Sequence, residues 1–382
     1  MNRLTGPNFR RYVPIIKAAI ALAVAVGLVL AVRSAVGQWN QQTQKVQQRL
    51  GQLDAQLETA QSSQIVELQN ERDAVQASVP TLANIRWRFV LVAALLYACA
   101  LVPPGLVLCC ALTTMGESPR GVTCVAAQLL GHVGKYVPGK AMVIILRAAS
   151  LSRDGVHMGS ATVAVFMETF LMMAVGAAIS GAIIFRLPVP AWMTWLAAFV
   201  AIAATIPTLP PVLRHVVARL ARSDEPIGSR QSRRFFFVGW AWSVLAWLLV
   251  GSSFGCLILA IPSIDDLPSG LSLFAIATAA IGLAMVVGFA SLLPGGAGIR
   301  ELVLTTLLAT SIGTAHAMLS AVAARLLFIA VESVMASLAW LWLRQDRLAR
   351  AAPTKDGVLS GNLGSDDRAS IHPVSQEMPG EK

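Results

Sequence analysis

Residues 159–185 read GSATVAVFMETFLMMAVGAAISGAIIF, an unbroken apolar stretch with a single charge, Glu168. At ~1.5 Å per residue a helix of this length exceeds the ~30 Å hydrocarbon core of a bilayer. A chain inside hydrocarbon must satisfy its own backbone polar groups, so such a run forms a membrane helix. Comparable runs occupy Phe89–Leu112, Phe235–Ile261, Leu271–Leu293 and Met318–Leu343, and another extends from Ala191 to about Pro211 behind the tight Pro188-Val189-Pro190 turn. The 382-residue chain is 55% apolar and only 13% charged, against ~25% charged in soluble domains. That is too little charge to clothe a water-facing surface, which excludes an ordinary cytosolic enzyme, a disordered chain and a disulfide scaffold. The expected fold is an all-α polytopic membrane protein of about seven to eight transmembrane helices, with one or two re-entrant or broken helices.

The formal charge of +10 does not mark a nucleic-acid binder, because the basic residues flank apolar runs and form no separate domain. Cys99, Cys109, Cys110, Cys124 and Cys256 all lie in apolar segments without metal-ligand spacing, and they read as small hydrophobes.

The N-terminal run, Val13 to Val36, follows Arg3, Arg10 and Arg11 and carries Lys17 one turn in. It reads as a signal anchor in domain 1–37, with a cleavable signal peptide as the rival, since Ala35 and Gly37 suit a cleavage site. Either way residues 38–86 are expected outside the cytoplasm. Within residues 38–80 three bases (Lys45, Arg49, Arg72) face five acids (Asp54, Glu58, Glu67, Glu71, Asp73). Val46, Leu50, Leu53, Leu57 and Ala60 recur at spacings of four and three, and the stripe changes phase near Ser62. A single helix here would run ~65 Å, so a coiled-coil-like hairpin bent near residues 59–64, or a helix lying on the membrane surface, fits better. The tail, domain 346–382, is expected to be disordered and cytoplasmic.

Six arginines at 214, 219, 222, 230, 233 and 234 mark residues 213–234 as cytoplasmic, because short basic loops stay inside. Counting spans outward from that loop places Arg120, Arg147 and Arg153 on the same side. The stretch VAAQLLGHVGKYVPGKAMVIILR (125–147) is too short to cross twice, and is therefore expected to enter and leave on one side with Pro138-Gly139 at its turn. Glu301–Ile312 is too short for a full span, yet Arg344, Arg347 and Arg350 require Met318–Leu343 to end inside. Both chain termini are then cytoplasmic, and the location is the inner membrane.

Two breaks stand out. Gly131 precedes Pro138-Gly139 and Arg147, and Gly288 precedes Pro294-Gly295-Gly296 and Arg300. Similar breaks in the two halves of a membrane chain point to an internal repeat with a substrate site between them. With KYVPGKAMVIILR, the later Gly155 and AVFMETF, LLPGGAGIRE, and a final helix bearing Arg325 and Glu332, residues 87–345 resemble the transmembrane region of lysylphosphatidylglycerol synthases, a flippase-like family also found without the synthase. The first family motif falls on Lys135, Tyr136, Pro138, Gly139, Lys140 and Arg147, and the second on Pro294, Gly295, Gly296, Gly298, Arg300 and Glu301. Family members often carry Glu-Arg followed by an acid where this chain has Glu168, Thr169 and Met172, so only the glutamate carries over. The 39 residues after Leu343 (382 minus 343) leave no room for a transferase domain.

Ionised groups inside apolar runs are costly and face the protein interior, which singles out the acids Glu168, Glu301 and Glu332. Lys135, Tyr136, Lys140, Arg147, Arg300 and Arg325 are the candidate headgroup ligands, since basic pockets between membrane helices suit phosphate. Arg325 and Glu332, two turns apart, share a helix face; pairing with Glu168 or Glu301 is the structural alternative. His132 reads as a packing residue. No catalytic triad, metal constellation or nucleotide loop appears, so no enzyme activity, metal or other cofactor is expected. The resemblance implies translocation of an aminoacylated phosphatidylglycerol or a polyprenyl-phosphate-linked sugar. The rival function is a non-transporting scaffold, or an accessory subunit of a lipid-modifying system, that engages an extracytoplasmic partner or a second copy of itself through residues 38–80.

Overall fold

A computed structural model describes residues 43–61, 64–77, 83–136, 141–186, 191–212, 228–263, 267–291, 296 and 298–351, with isolated positions 33, 37, 40, 41, 214 and 215. The N-terminal apolar run, most of the arginine-rich loop and the polar tail lie outside the described residues. Every regular element among the described residues is a helix.

Residues 43–59 form α1 and Ile65–Ala77 form α2. They run antiparallel, with Arg49 Nη2 2.7 Å from Glu71 Oε1 and Arg72 Nε 2.7 Å from Asp54 Oδ1. Exposed pairs of this kind contribute ~0–1 kcal/mol each, so they report the register more than they hold it. Val46 and Leu53, one heptad apart, are fully buried.

Five helical stretches are long and apolar enough to cross a membrane: Trp87–Thr114, Met158–Ile184, Ser229–Ala260, Gly270–Ala290 and Thr314–Arg350. The first consists of α3 (Trp87–Ala100) and α4 (Val102–Thr114). They meet at Leu101, because Pro103 and Pro104 lack the N–H that would continue the ladder. Met158–Ile184 is α7, followed by the shorter α8 (Ala191–Thr205). Ser229–Ala260 is α9 and Gly270–Ala290 is α10. Helix α9 packs against α3, α4, α7 and α10. Small residues let it approach closely, as is usual between membrane helices: a methyl group on Gly251 would lie 1.9 Å from Thr278 Oγ1, and one on Gly176 of α7 2.5 Å from the Trp247 ring. Trp247 Nε1 donates to the Met172 carbonyl at 2.8 Å, and Ser253 Oγ to that of Ala93 at 2.7 Å.

Between α4 and α7 lies the first break. Helices α5 (Gly121–Gly131) and α6 (Ala141–Ser152) contain 11 and 12 residues, roughly 16 and 18 Å, or about half a bilayer each. A 3-10 turn, Val133–Tyr136, follows α5. Gly131 faces Arg147 and Gly134 faces the backbone of Val143, so α5 and α6 are antiparallel. The chain enters and leaves this hairpin at one place: Arg120 Nη2 lies 3.1 Å from Asp154 Oδ1. Residues 137–140, with Pro138, Gly139 and Lys140, lie outside the described residues.

The second break has the same plan. Gly288 of α10 abuts Gly296 and Arg300, so α11 (Ile299–Ile312) doubles back along α10. Gly313, at φ 77°, ends it, a conformation open to glycine at little cost. Helix α12 (Thr314–Ala351) then begins where α9 ends: His316 Nε2 is 3.2 Å from the Ile258 carbonyl, and Leu319 is buried with Ile261. Arg86 N–H donates to Ala260 O at that same end, which answers how a 14-residue α11 returns the chain for a last crossing. The chain divides into two compact units, Met1–Trp340 and Leu341–Lys382. The second contains the last turns of α12, with an Arg350–Asp346 pair at 2.9 Å.

Candidate functional site

Each break delivers an arginine onto a glycine. Arg147 lies across Gly131 so closely that a methyl group there would sit 2.2 Å from Nε and 2.8 Å from Cγ. Arg300 lies across two abutting glycines: a methyl group on Gly288 would lie 2.5 Å from its Cγ, and one on Gly296, at φ 65°, 2.9 Å from Cγ and Cδ. The repeat visible in the sequence is thus a repeat of packing.

The two arginines differ in what they meet. Arg147 is buried and its Nη1 donates to Glu168 Oε2 at 2.9 Å. Gln128 Nε2 donates to the other carboxylate oxygen at 3.2 Å, and Thr169 Oγ1 to Oε2 at 3.1 Å. The threonine that departs from the family pattern therefore binds the glutamate beside it. A charge with several donors on it is the arrangement that makes ion burial tolerable. Arg300, half-buried, is paired with no acid and joined by no hydrogen bond among the described residues. Its neighbour Glu301 is occupied on both oxygens: Oε2 accepts the Gly298 N–H at 2.8 Å, closing the start of α11, and Oε1 pairs with Arg325.

The third acid joins the first break to the last helix. Glu332 Oε1 accepts from Tyr97 Oη at 2.6 Å and from Lys135 Nζ at 2.9 Å, and His132 Nδ1 lies 3.5 Å away. Tyr97 is positioned by stacking on Phe328, with ring centroids 3.8 Å apart. Lys135 also feels the charges of Arg147 and Arg300. Arg325 and Glu332 share a helix face, yet each engages a different element.

The structure thus brings together Lys135, Arg147, Arg300, Arg325, Glu168, Glu301 and Glu332, with Gly296 and Gly298 shaping the second break. Tyr136 lies on the 3-10 turn, while Pro138, Gly139, Lys140, Pro294 and Gly295 lie outside the described residues. Sequence reasoning missed Tyr97 and Gln128; the signal was a polar group in an otherwise apolar helix. Among the described residues no group of His, Cys, Asp or Glu is arranged to hold a metal ion.

The family model for the lysylphosphatidylglycerol synthase TM region matches residues 72–334, well over half of the chain. The chain belongs to this family. No curated protein matches it in sequence. The lysylphosphatidylglycerol synthase TM region runs from within α2 to within α12, and so contains both breaks and the charges paired around them. It is a membrane domain, and no arrangement for covalent catalysis occurs among the described residues.

Proposed function

We propose that this protein binds the phosphate of an anionic lipid headgroup at Arg300, between the two breaks, and passes the headgroup across the membrane while the chains stay in lipid. The supporting observation is a charge count. Among the described residues at the two breaks, four cations (Lys135, Arg147, Arg300, Arg325) meet three acids (Glu168, Glu301, Glu332), and every one of these acids already carries a cation. Arg300 is the surplus, at the start of α11, where a cation gains nothing from the helix dipole. Charge kept inside a membrane domain without an acid favours an anionic guest. Aminoacylated phosphatidylglycerol and polyprenyl-phosphate-linked sugars are the classes that the family resemblance brings to this site.

Arg300→Gln is expected to reduce transbilayer movement of NBD-labelled phosphatidylglycerol in proteoliposomes to the protein-free background. Expression and detergent thermal stability should stay close to wild type. Retained movement would remove Arg300 from the site and favour a scaffold acting through the 38–80 hairpin.

The end of the bundle bearing Arg120 and Arg153 is proposed to face the cytoplasm, on the strength of the arginines at 214–234. A membrane-impermeant thiol reagent applied to intact cells should label Gln56→Cys and leave Glu225→Cys unlabelled. The opposite pattern would reverse the orientation.

A further inference from the structure

The sign of the charge at the two breaks restricts what the headgroup can carry besides its phosphate. Among the described residues Lys135, Arg147 and Arg325 each pair with an acid (Glu332, Glu168 and Glu301 in turn), and Arg300 is the fourth cation. The stretches at the breaks outside the described residues, 137–140 and 292–295 with Ala297, contain a single charged residue, Lys140, and it is a cation. They bring no acid to the site wherever they lie. The other acids of residues 87–345 fall between helices in the sequence. Glu117 and Asp154 do so at the base of the first hairpin, where they pair with His157 and Arg120.

A guest ammonium therefore finds each intramembrane acid already holding a cation. If it took Glu301 from Arg325 or Glu332 from Lys135, the displaced cation would remain beside the cluster and the count would stand. Lys135 is tethered there because its neighbour Gly134 packs on the Val143 backbone, where a methyl group would lie 2.8 Å from the Val143 nitrogen. A proton added to an acid or to His132 only increases the positive surplus. Uncompensated charge inside a membrane domain is costly, and like charges brought together oppose binding strongly. A phosphodiester, with one negative charge, offsets the surplus at Arg300. Its alanyl ester, carrying an ammonium as well, offsets none of it, and a lysyl ester adds to it.

Resting on the headgroup-binding reading, we infer that this site takes lipid phosphodiesters whose headgroups carry hydroxyls and no amine, and that it excludes aminoacylated and zwitterionic phospholipids by charge. Of the two classes that the family resemblance brings, the amine-free phosphate-linked sugars fit and aminoacylated phosphatidylglycerol does not. Unmodified phosphatidylglycerol shares the accepted chemistry.

The test titrates the full-length protein, in uncharged detergent at neutral pH, with water-soluble dihexanoyl-phosphatidylglycerol and its lactyl, alanyl and lysyl esters, following binding by calorimetry. The lactyl and alanyl esters match in size and differ by a hydroxyl in place of an ammonium, so they separate charge from bulk. The lactyl ester should bind within about threefold of the parent lipid, the alanyl ester at least about tenfold more weakly than the lactyl, and the lysyl ester more weakly still. Citronellyl-phosphoglucose, an amine-free prenyl phosphodiester, is run beside them. Tight binding by it or by the parent lipid, with the alanyl ester weak, supports the inference and names the lipid source. In Arg300→Gln the lactyl ester should fall to the level of the alanyl ester. An alanyl or lysyl ester that binds wild type as tightly as the lactyl ester overturns the exclusion while leaving Arg300 as a phosphate site. Equal weakness of the lactyl and alanyl esters beside a tight parent lipid means exclusion by size, and overturns it as well. If none of the amine-free lipids binds, or if Arg300→Gln binds them as wild type does, the headgroup reading itself fails and takes the inference with it.

Discussion

Arg147→Met should destabilise the folded protein by about 3–5 kcal/mol, and adding Glu168→Gln should recover most of that loss. Breaking the pair on one side leaves Glu168 as a buried carboxylate with only Gln128 and Thr169 as donors. Removing both charges leaves a neutral amide that still accepts from those donors. Glu168→Gln alone should be nearly as costly, because Arg147 is 5% exposed and has no second acid nearby among the described residues. Reversible unfolding in mixed micelles, run as a double-mutant cycle, measures the coupling directly. If the double variant is as unstable as the two single losses added together, Arg147 serves through packing on Gly131 and the ion pair carries little.

The sequence made the class of the protein, the five long helices and both breaks legible, because each is a local property. Apolar length marks a span, and a Pro-Gly pair beside a base marks an interrupted one. The return of residues 125–147 to the side they start from followed from counting sides, and α5 and α6 form that hairpin. What stayed hidden was the pairing, since it depends on contacts far apart in the chain: Lys135 meets Glu332 across 197 positions and Tyr97 meets it across 235. Arg325 and Glu332 lie two turns apart on one face of α12. Packing sends them apart, to the second break and the first. The return of α11 was equally illegible, because it depends on α12 starting beside Ile258 and Ile261 at the end of α9. Local pattern thus located the candidate charges, and tertiary packing decided which one lacked an acid.

Gly131→Ala and Gly288→Ala insert the same methyl group at equivalent places and should fail in different ways. At Gly131 the new atom falls 2.2 Å from Arg147 Nε and 2.8 Å from Cγ. The side chain cannot stay flat on α5, and its Nη1 is pulled from Glu168. The outcome should resemble a broken buried pair, with a loss of stability approaching that of Arg147→Met, about 3 kcal/mol or more. At Gly288 the methyl group falls 2.5 Å from Arg300 Cγ. Gly296 abuts Gly288 against the same part of the side chain, so the guanidinium must swing out of its slot. Arg300 breaks no ion pair in moving, so stability should change by only about 1 kcal/mol, the ordinary scale for a strained substitution. Anionic lipid movement in proteoliposomes should nonetheless fall to background, as for Arg300→Gln. Combining Gly288→Ala with Arg300→Gln should then add no further loss of activity, because both act on one group. If Gly288→Ala leaves lipid movement intact, the slot does not position the cation and the surplus charge at the second break has no transport role. If instead it destabilises as strongly as Gly131→Ala, Arg300 is held by an interaction as strong as the Arg147–Glu168 pair, and the asymmetry between the two halves disappears.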